Sequence, residues 1–445
     1  MVALIKAAQL LLSLSILVFM HELGHYLTAR WFKTRVEKFY LFMNPWFSIY
    51  KKKIGDTEWG LGWLPLGGYV KIAGMVDESM DTEQLKQPPQ PWEFRTKPAW
   101  QRLIIMLGGI IVNLILGFAI YSMVLFVWGE TVLPTSSMPY GIQVDDRVKS
   151  WGFENGDRIL RINDEEVNNL TEIRRSFFFN DVEEVTLERN GQTKVLTFDQ
   201  DLGQQLVDSN IRSPFGVRMP LEVAYVVDGS RAAAAGLSIG DRLMAMDSIP
   251  MQFFDEATKY IKAHPEMPIQ MTLQSPDGTV RTLTATPDSL GTLGFQNKDV
   301  MDFEEFATET ITYSGSEAVV SGFQLAARTL QEYVLSLRFL FSKSGATQVG
   351  SLVTFGSVFD AGWDWEVFWR NTAFFSLILA FMNLLPIPAL DGGHVMFLLY
   401  EMIAGKPASE KFLERAQYVG IVLLMALMIF ALGNDIWRLL TGQFR

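Results

Sequence analysis

The sequence predicts a polytopic α-helical membrane protein with four transmembrane helices and two external α+β modules. Three observations lead there. Four long apolar runs interrupt an otherwise mixed chain. Basic residues gather at one side of those runs. A stretch of the remaining sequence recurs at an offset of 84 residues.

A run of about 18 or more apolar residues with few charges reads as a membrane span. The run 103–128 meets that test without a charge, and 367–391 and 416–438 contain the third and fourth spans. The first span, 1–30, is apolar from 7 to 20 and then runs into His-Glu-Leu-Gly-His. Lys6 and the short apolar run have the outline of a secretory leader, but no small-residue cleavage site follows. A helix from about Leu4 to Ala29 that carries polar groups into the bilayer is the preferred reading.

Lys and Arg near span ends mark the cytoplasmic side. Segment 27–102 has twelve Lys and Arg against eight Asp and Glu, although the whole chain is at −11. Lys406, Lys411 and Arg415 stand between the last two spans. The expected topology therefore puts 31–102 and the loop 392–415 on the cytoplasmic side of the membrane. Both termini and the long stretch after the second span lie outside. An amphipathic helical connector, 306–366, leads back to the third span, its Arg328, Glu332 and Arg338 recurring at helical spacing.

Composition narrows the chemistry. With no cysteine, disulfides, thiolate ligands and cysteine nucleophiles are excluded. The acidic balance argues against nucleic acid as a partner. The repeat pairs Gly156-Asp157-Arg158-Ile159-Leu160 with Gly240-Asp241-Arg242-Leu243-Met244, each a strand entered from a tight turn. In the second copy Ala232–Ala235, Gly236 and Leu237 precede it, a short helix with a glycine stop. This pattern resembles PDZ domains, expected at 129–219 and 220–305, which accept extended peptides by strand addition. A rigid spacer without a ligand groove is the alternative.

His21-Glu22-Leu23-Gly24-His25 carries the chemistry. On a helix, positions i and i+4 share a face, so both imidazoles reach one zinc while Glu22 stands beside it as a base for a bound water. Two of the chain's four histidines lie here. A catalytic zinc takes three protein ligands and keeps one position open. Asp391 is the best third ligand, because the third span ends beside it on the same side as the histidines and Pro386 and Pro388 unwind the backbone there. His394 is the alternative.

HELGH in the first span, Asn383-Leu384-Leu385-Pro386-Ile387-Pro388-Ala389-Leu390-Asp391-Gly392-Gly393 in the third and two intervening PDZ-like modules together resemble the site-2 protease family over nearly the whole chain. The resemblance implies zinc held by His21, His25 and Asp391, Glu22 as general base, and Asn383 and Pro386 holding substrate. It implies single-pass membrane proteins as substrates, such as trimmed anti-sigma factors or signal-peptide remnants. It also implies a membrane-facing β-hairpin at 39–75 with its turn within 51–56 and a matching run at 65–71. Two departures stand out. Phe42-Met43-Asn44 replaces the family's Gly-x-Gly, and Gly109-Ile110-Ile111-Val112-Asn113 lacks the proline usual in the second span.

Overall fold

The computed structural model describes residues 2–65, 67–75, 87–347 and 349–441; Leu66, within the run at 65–71, lies outside them. Two compact units result, one from Met1–Gly129, Thr312–Phe341 and Ala346–Arg445, the other from Glu130–Ile311 and Ser342–Gly345. Four helices, Val2–Trp31, Ala99–Val127, Trp365–Leu384 and Lys411–Leu440, are long and apolar enough to cross a membrane, and all belong to the first unit.

Helix α1 (Val2–Trp31) is followed by β1 (Val36–Leu41), β2 (Met43–Ile54), β3 (Thr57–Leu64) and β4 (Tyr69–Ile72). They form one sheet in the order β2-β3-β1-β4, with β1 and β3 parallel and the other pairs antiparallel. The hairpin is β2–β3: Ile54 pairs with Thr57, leaving Gly55 and Asp56 as a two-residue turn. Its outer strand shows Trp46, Phe47, Ile49 and Tyr50 to the surroundings, Trp46 with 91% of its surface exposed. So wide an apolar patch marks a membrane or partner surface. Phe42, in the departed motif, is left-handed at φ 68°. That is the conformation glycine adopts freely and that costs other residues about 1–2 kcal/mol. Helix α2 (Ala99–Val127) follows. It crosses α1 so closely that a methyl added at Gly24 would lie 2.3 Å from the Gly108 carbonyl oxygen. Val70 and Ile72 of β4 pack with Ala29 of α1 and Ile105 of α2 in one core.

The second unit opens and closes on a paired strand, β5 (Glu130–Val132) against the last strand, β18 (Glu309–Ile311). Between them the repeat becomes a repeated topology. The first copy has β6 (Ile142–Val144), β7 (Arg158–Ile162), β8 (Glu165–Glu166), α3 (Leu170–Phe179), β9 (Glu184–Arg189), β10 (Gln192–Thr197), α4 (Leu202–Asp208) and β11 (Phe215–Val217). The second has β12 (Val223–Val226), α5 (Arg231–Ala235), β13 (Arg242–Met246), β14 (Ile249–Pro250), α6 (Phe254–Ala263), β15 (Ile269–Gln274), β16 (Val280–Ala285) and β17 (Phe295–Asn297). Sheets β10-β9-β7-β8 and β14-β13-β15-β16 correspond strand for strand, as do the pairs β6–β11 and β12–β17. The repeated Gly-Asp has the same use in both. Asp157 accepts from the Glu154 amide and Asp241 from the Ser238 amide, both at 2.8 Å, so each wholly buried carboxylate fastens the turn before its strand. The copies differ at the helix: α5 stands where the first has a 3-10 turn at Asp146–Trp151.

The chain returns to the first unit through α7 (Gly315–Ser336), whose Ser314 and Glu317 form a capping box. Short helices α8 (Lys343–Ala346) and α9 (Leu352–Ser357) precede α10 (Trp365–Leu384). After α10 the backbone unwinds over Leu385 to Leu390, with Pro386, Pro388 and a left-handed Ala389 at φ 85°. Asp391 then begins α11 (Asp391–Ala404), and α12 (Glu410–Leu440) lies against the unwound segment, Gly420 touching the Pro388 carbonyl.

Candidate metal centre

His21 and His25 sit one turn apart on the buried face of α1. Glycines set their position. A methyl at Gly109 of α2 would lie 2.5 Å from His25 Nε2 and 2.7 Å from His21 Cε1, so both rings rest directly on the α2 backbone. The unwound stretch after α10 brings Asp391 to them. Its Oδ2 is 3.1 Å from His21 Nε2 and 3.2 Å from His25 Nε2, and the two Nε2 atoms are 3.2 Å apart. Ligand atoms of these three residues all lie within 4.8 Å of one another. His394, in the first turn of α11, lines the adjoining cavity but is not part of this cluster.

The hydrogen bonding around the cluster fits a cation. His25 Nδ1 is 2.9 Å from the Ile105 carbonyl oxygen, which can only accept. Nδ1 therefore carries a proton, and in the neutral ring Nε2 presents its lone pair toward Asp391. Asp391 Oδ2 is buried with no hydrogen-bond donor. Two lone-pair nitrogens and an undonated carboxylate oxygen crowded together are costly by themselves and suit a divalent ion at their centre. His21 Nδ1 is 3.3 Å from the Asn113 amide, whose Oδ1 is buried without a partner. Turning that amide over lets Oδ1 accept from Nδ1–H, which satisfies both groups and frees His21 Nε2 as a donor to metal. Ser376 holds the Asn113 segment by donating to its backbone oxygen at 2.7 Å.

Glu22 lines a cavity of about 600 Å³ that also reaches the two histidines and Asp391. β4 and the residues before it form one wall, and Gly68 passes so near Glu22 that a methyl there would lie 3.2 Å from its Cγ. Asn44 and Gln417 contribute from β2 and α12. Asn383 reaches the cluster itself, its Nδ2 3.5 Å from His21 Nε2, whereas Pro386 is not a lining residue among those described. In the sequence Asn113 stands only within the second-span motif that lacks its proline, and Gln417 carries no distinguishing signal. A polar amide inside an apolar span was the signal available for Asn113.

The sequence pattern of peptidase family M50 matches residues 9–427. The chain belongs to that family. It is a zinc metalloprotease of the site-2 type. Relatives of the same length agree. The "Regulator of sigma E protease" of Haemophilus influenzae is 28% identical, the alignment covering 96% of this chain and 98% of that protein. Two proteins named provisionally as zinc metalloproteases are similar to the same extent. One, from Neisseria meningitidis, is 29% identical over 96% of this chain and 97% of its own length. The other, from Ralstonia nicotianae, is 28% identical over the same shares.

Proposed function

We propose that this protease cleaves peptide bonds inside the transmembrane segments of single-pass membrane proteins, with His21, His25 and Asp391 as zinc ligands and Glu22 as general base. The observation that carries the reading is the meeting of Asp391 with His21 and His25 on an apolar helix, beside a cavity walled in part by β4, the edge strand of its sheet among the described residues. Zinc held by these three residues would supply Lewis-acid activation of the scissile carbonyl and of the attacking water. Glu22, beside the cluster, would accept a proton from the attacking water and return it to the leaving amine. β4 is an edge strand, paired only with β1 among the described residues. It offers main-chain groups to a substrate that has lost its own helical hydrogen bonds in apolar surroundings. Asn383 steadies the scissile carbonyl beside His21, and Pro386 keeps the segment before Asp391 open. The exposed aromatics of β2 dip into the bilayer.

The enzyme resides in a bacterial inner membrane with the metal toward the cytoplasm. The two repeated modules are PDZ domains on the opposite side, where they admit only substrates whose external part has been shortened, such as trimmed anti-sigma factors or signal-peptide remnants. Deleting them should permit cleavage of a substrate with a long external domain without raising the rate on the short form. Resistance of the long form to the deleted, still active enzyme rules the filter out. The primary test is cleavage of a single-pass reporter in liposomes. Glu22→Gln should lower the rate by about 10²–10⁴-fold while keeping zinc. Wild-type rates in that variant, or cleavage confined to the reporter's soluble part, would overturn the reading.

A further inference from the structure

We propose that the carboxyl end of α1 carries a binding site for the phosphate of an anionic phospholipid headgroup. A second cavity, about 360 Å³, opens there, lined by Arg30, Lys33, Thr34, Arg35, Asp56 and Trp92. It lies within the first unit, separate from the metal centre.

Three cations face one carboxylate. Arg35 Nη2 stands 4.0 Å from Asp56, and no carboxylate among the described residues comes within ion-pair distance of Arg30 or Lys33. Two donors are left over as well: Thr34 Oγ1 and Arg35 Nε are buried without a hydrogen-bond partner. The carbonyl end of a helix opposes an anion by about half a charge, which a net surplus of two cations outweighs.

The backbone adds an independent sign. Thr34 N–H donates to the Ala29 carbonyl and Lys33 N–H to that of Arg30, a Schellman closure with Lys33 left-handed at φ 54°. Glycine is the ordinary occupant of that place. A lysine there accepts backbone strain, and what it brings is an exposed cation at the cavity's rim. The surroundings are those of a membrane interface. Trp31, Trp92 and Trp100 are all exposed, and Phe32 joins Trp31 to Trp100 through ring contacts at 5.8 and 5.4 Å. Tryptophans hold headgroup depth, and basic pockets between spans take up anionic headgroups.

The shared chemistry is a phosphate monoanion, and the source proposed is lipid, not free phosphate. The test uses full-length protein in phosphatidylcholine nanodiscs with or without phosphatidylglycerol, followed by native mass spectrometry of the lipid retained. Wild type should retain phosphatidylglycerol. Arg30→Gln combined with Lys33→Gln should weaken retention by roughly tenfold or more. Lys51→Gln combined with Lys53→Gln, in the exposed hairpin, should not. Lys33→Gly should lose lipid yet raise the unfolding temperature in pure phosphatidylcholine, since it relieves the left-handed strain; a purely structural lysine would move both together. Equal loss in the hairpin variant, or undiminished retention in the Arg30 and Lys33 variant, overturns the site. Displacement of the lipid by inorganic phosphate alone overturns the assignment to lipid. None of these readouts depends on proteolysis, so they stand apart from the proposed activity.

Discussion

Two aspartates in the helical unit hold buried carboxylate oxygens in opposite circumstances. Asp435 of α12 is wholly enclosed, and its carboxylate is saturated: the Ser351 amide and hydroxyl donate at 2.8 and 2.5 Å, those of Thr354 at 3.2 and 2.5 Å, and Arg438 lies 3.5 Å away. It caps α9 and fastens α12 to it. Asp391 has two imidazole nitrogens at similar range and a buried oxygen that nothing donates to. A saturated carboxylate is a structural tie; one crowded by imidazole nitrogens with an undonated oxygen is suited to a cation.

The sharpest way to break this contrast is to remove each carboxylate. Asp391→Ala should take zinc content close to zero and abolish cleavage, while the metal-free protein unfolds at an unchanged or higher temperature because an unpaired acceptor has gone. His394→Ala should keep its zinc, and metal analysis of the two purified variants decides between the residues. Asp435→Ala should do the reverse. Donors from Ser351 and Thr354 lose their acceptor, at about 3 kcal/mol or more of unfolding free energy in detergent, with zinc per folded chain unchanged. If Asp435→Ala loses zinc first, the distinction fails. A smaller effect separates ligand from support. Asn113→Ala should weaken zinc binding by about 10–100-fold in competition with a chelator, as loss of a group that orients a ligating histidine does. An unchanged affinity would reduce Asn113 to packing.

Much of the cluster was legible because its geometry is local. His21 and His25 are fixed by the period of one helix, and Asp391 by prolines that must end another. The repeat was legible for the same reason, since the buried Asp157 and Asp241 each fasten a turn three residues long. What escaped is non-local. The expected hairpin is half of a four-stranded sheet, because β1 reaches past β2 to pair in parallel with β3, and nothing in either strand's pattern announces that partner. Phe42 is left-handed where the family has glycine, which the residue type itself argues against. Asp435 carries no local signal of its role, because its donors lie some eighty residues away.

The crossing of Gly24 over Gly108 has a consequence for how accurately this site can be built. Helices that meet through side chains keep their distance only as well as rotamers keep theirs, and one altered rotamer shifts the gap by a fraction of an ångström. Here main chain rests on main chain, and the two histidines ride on the same stiff turn. The spacing is that of a gauge block: it has no adjustable part, does not drift as neighbouring side chains vary, and tolerates no insertion. A single methyl at Gly24 would lift both imidazoles together away from α2, leaving their mutual geometry intact and their distance to Asp391 wrong.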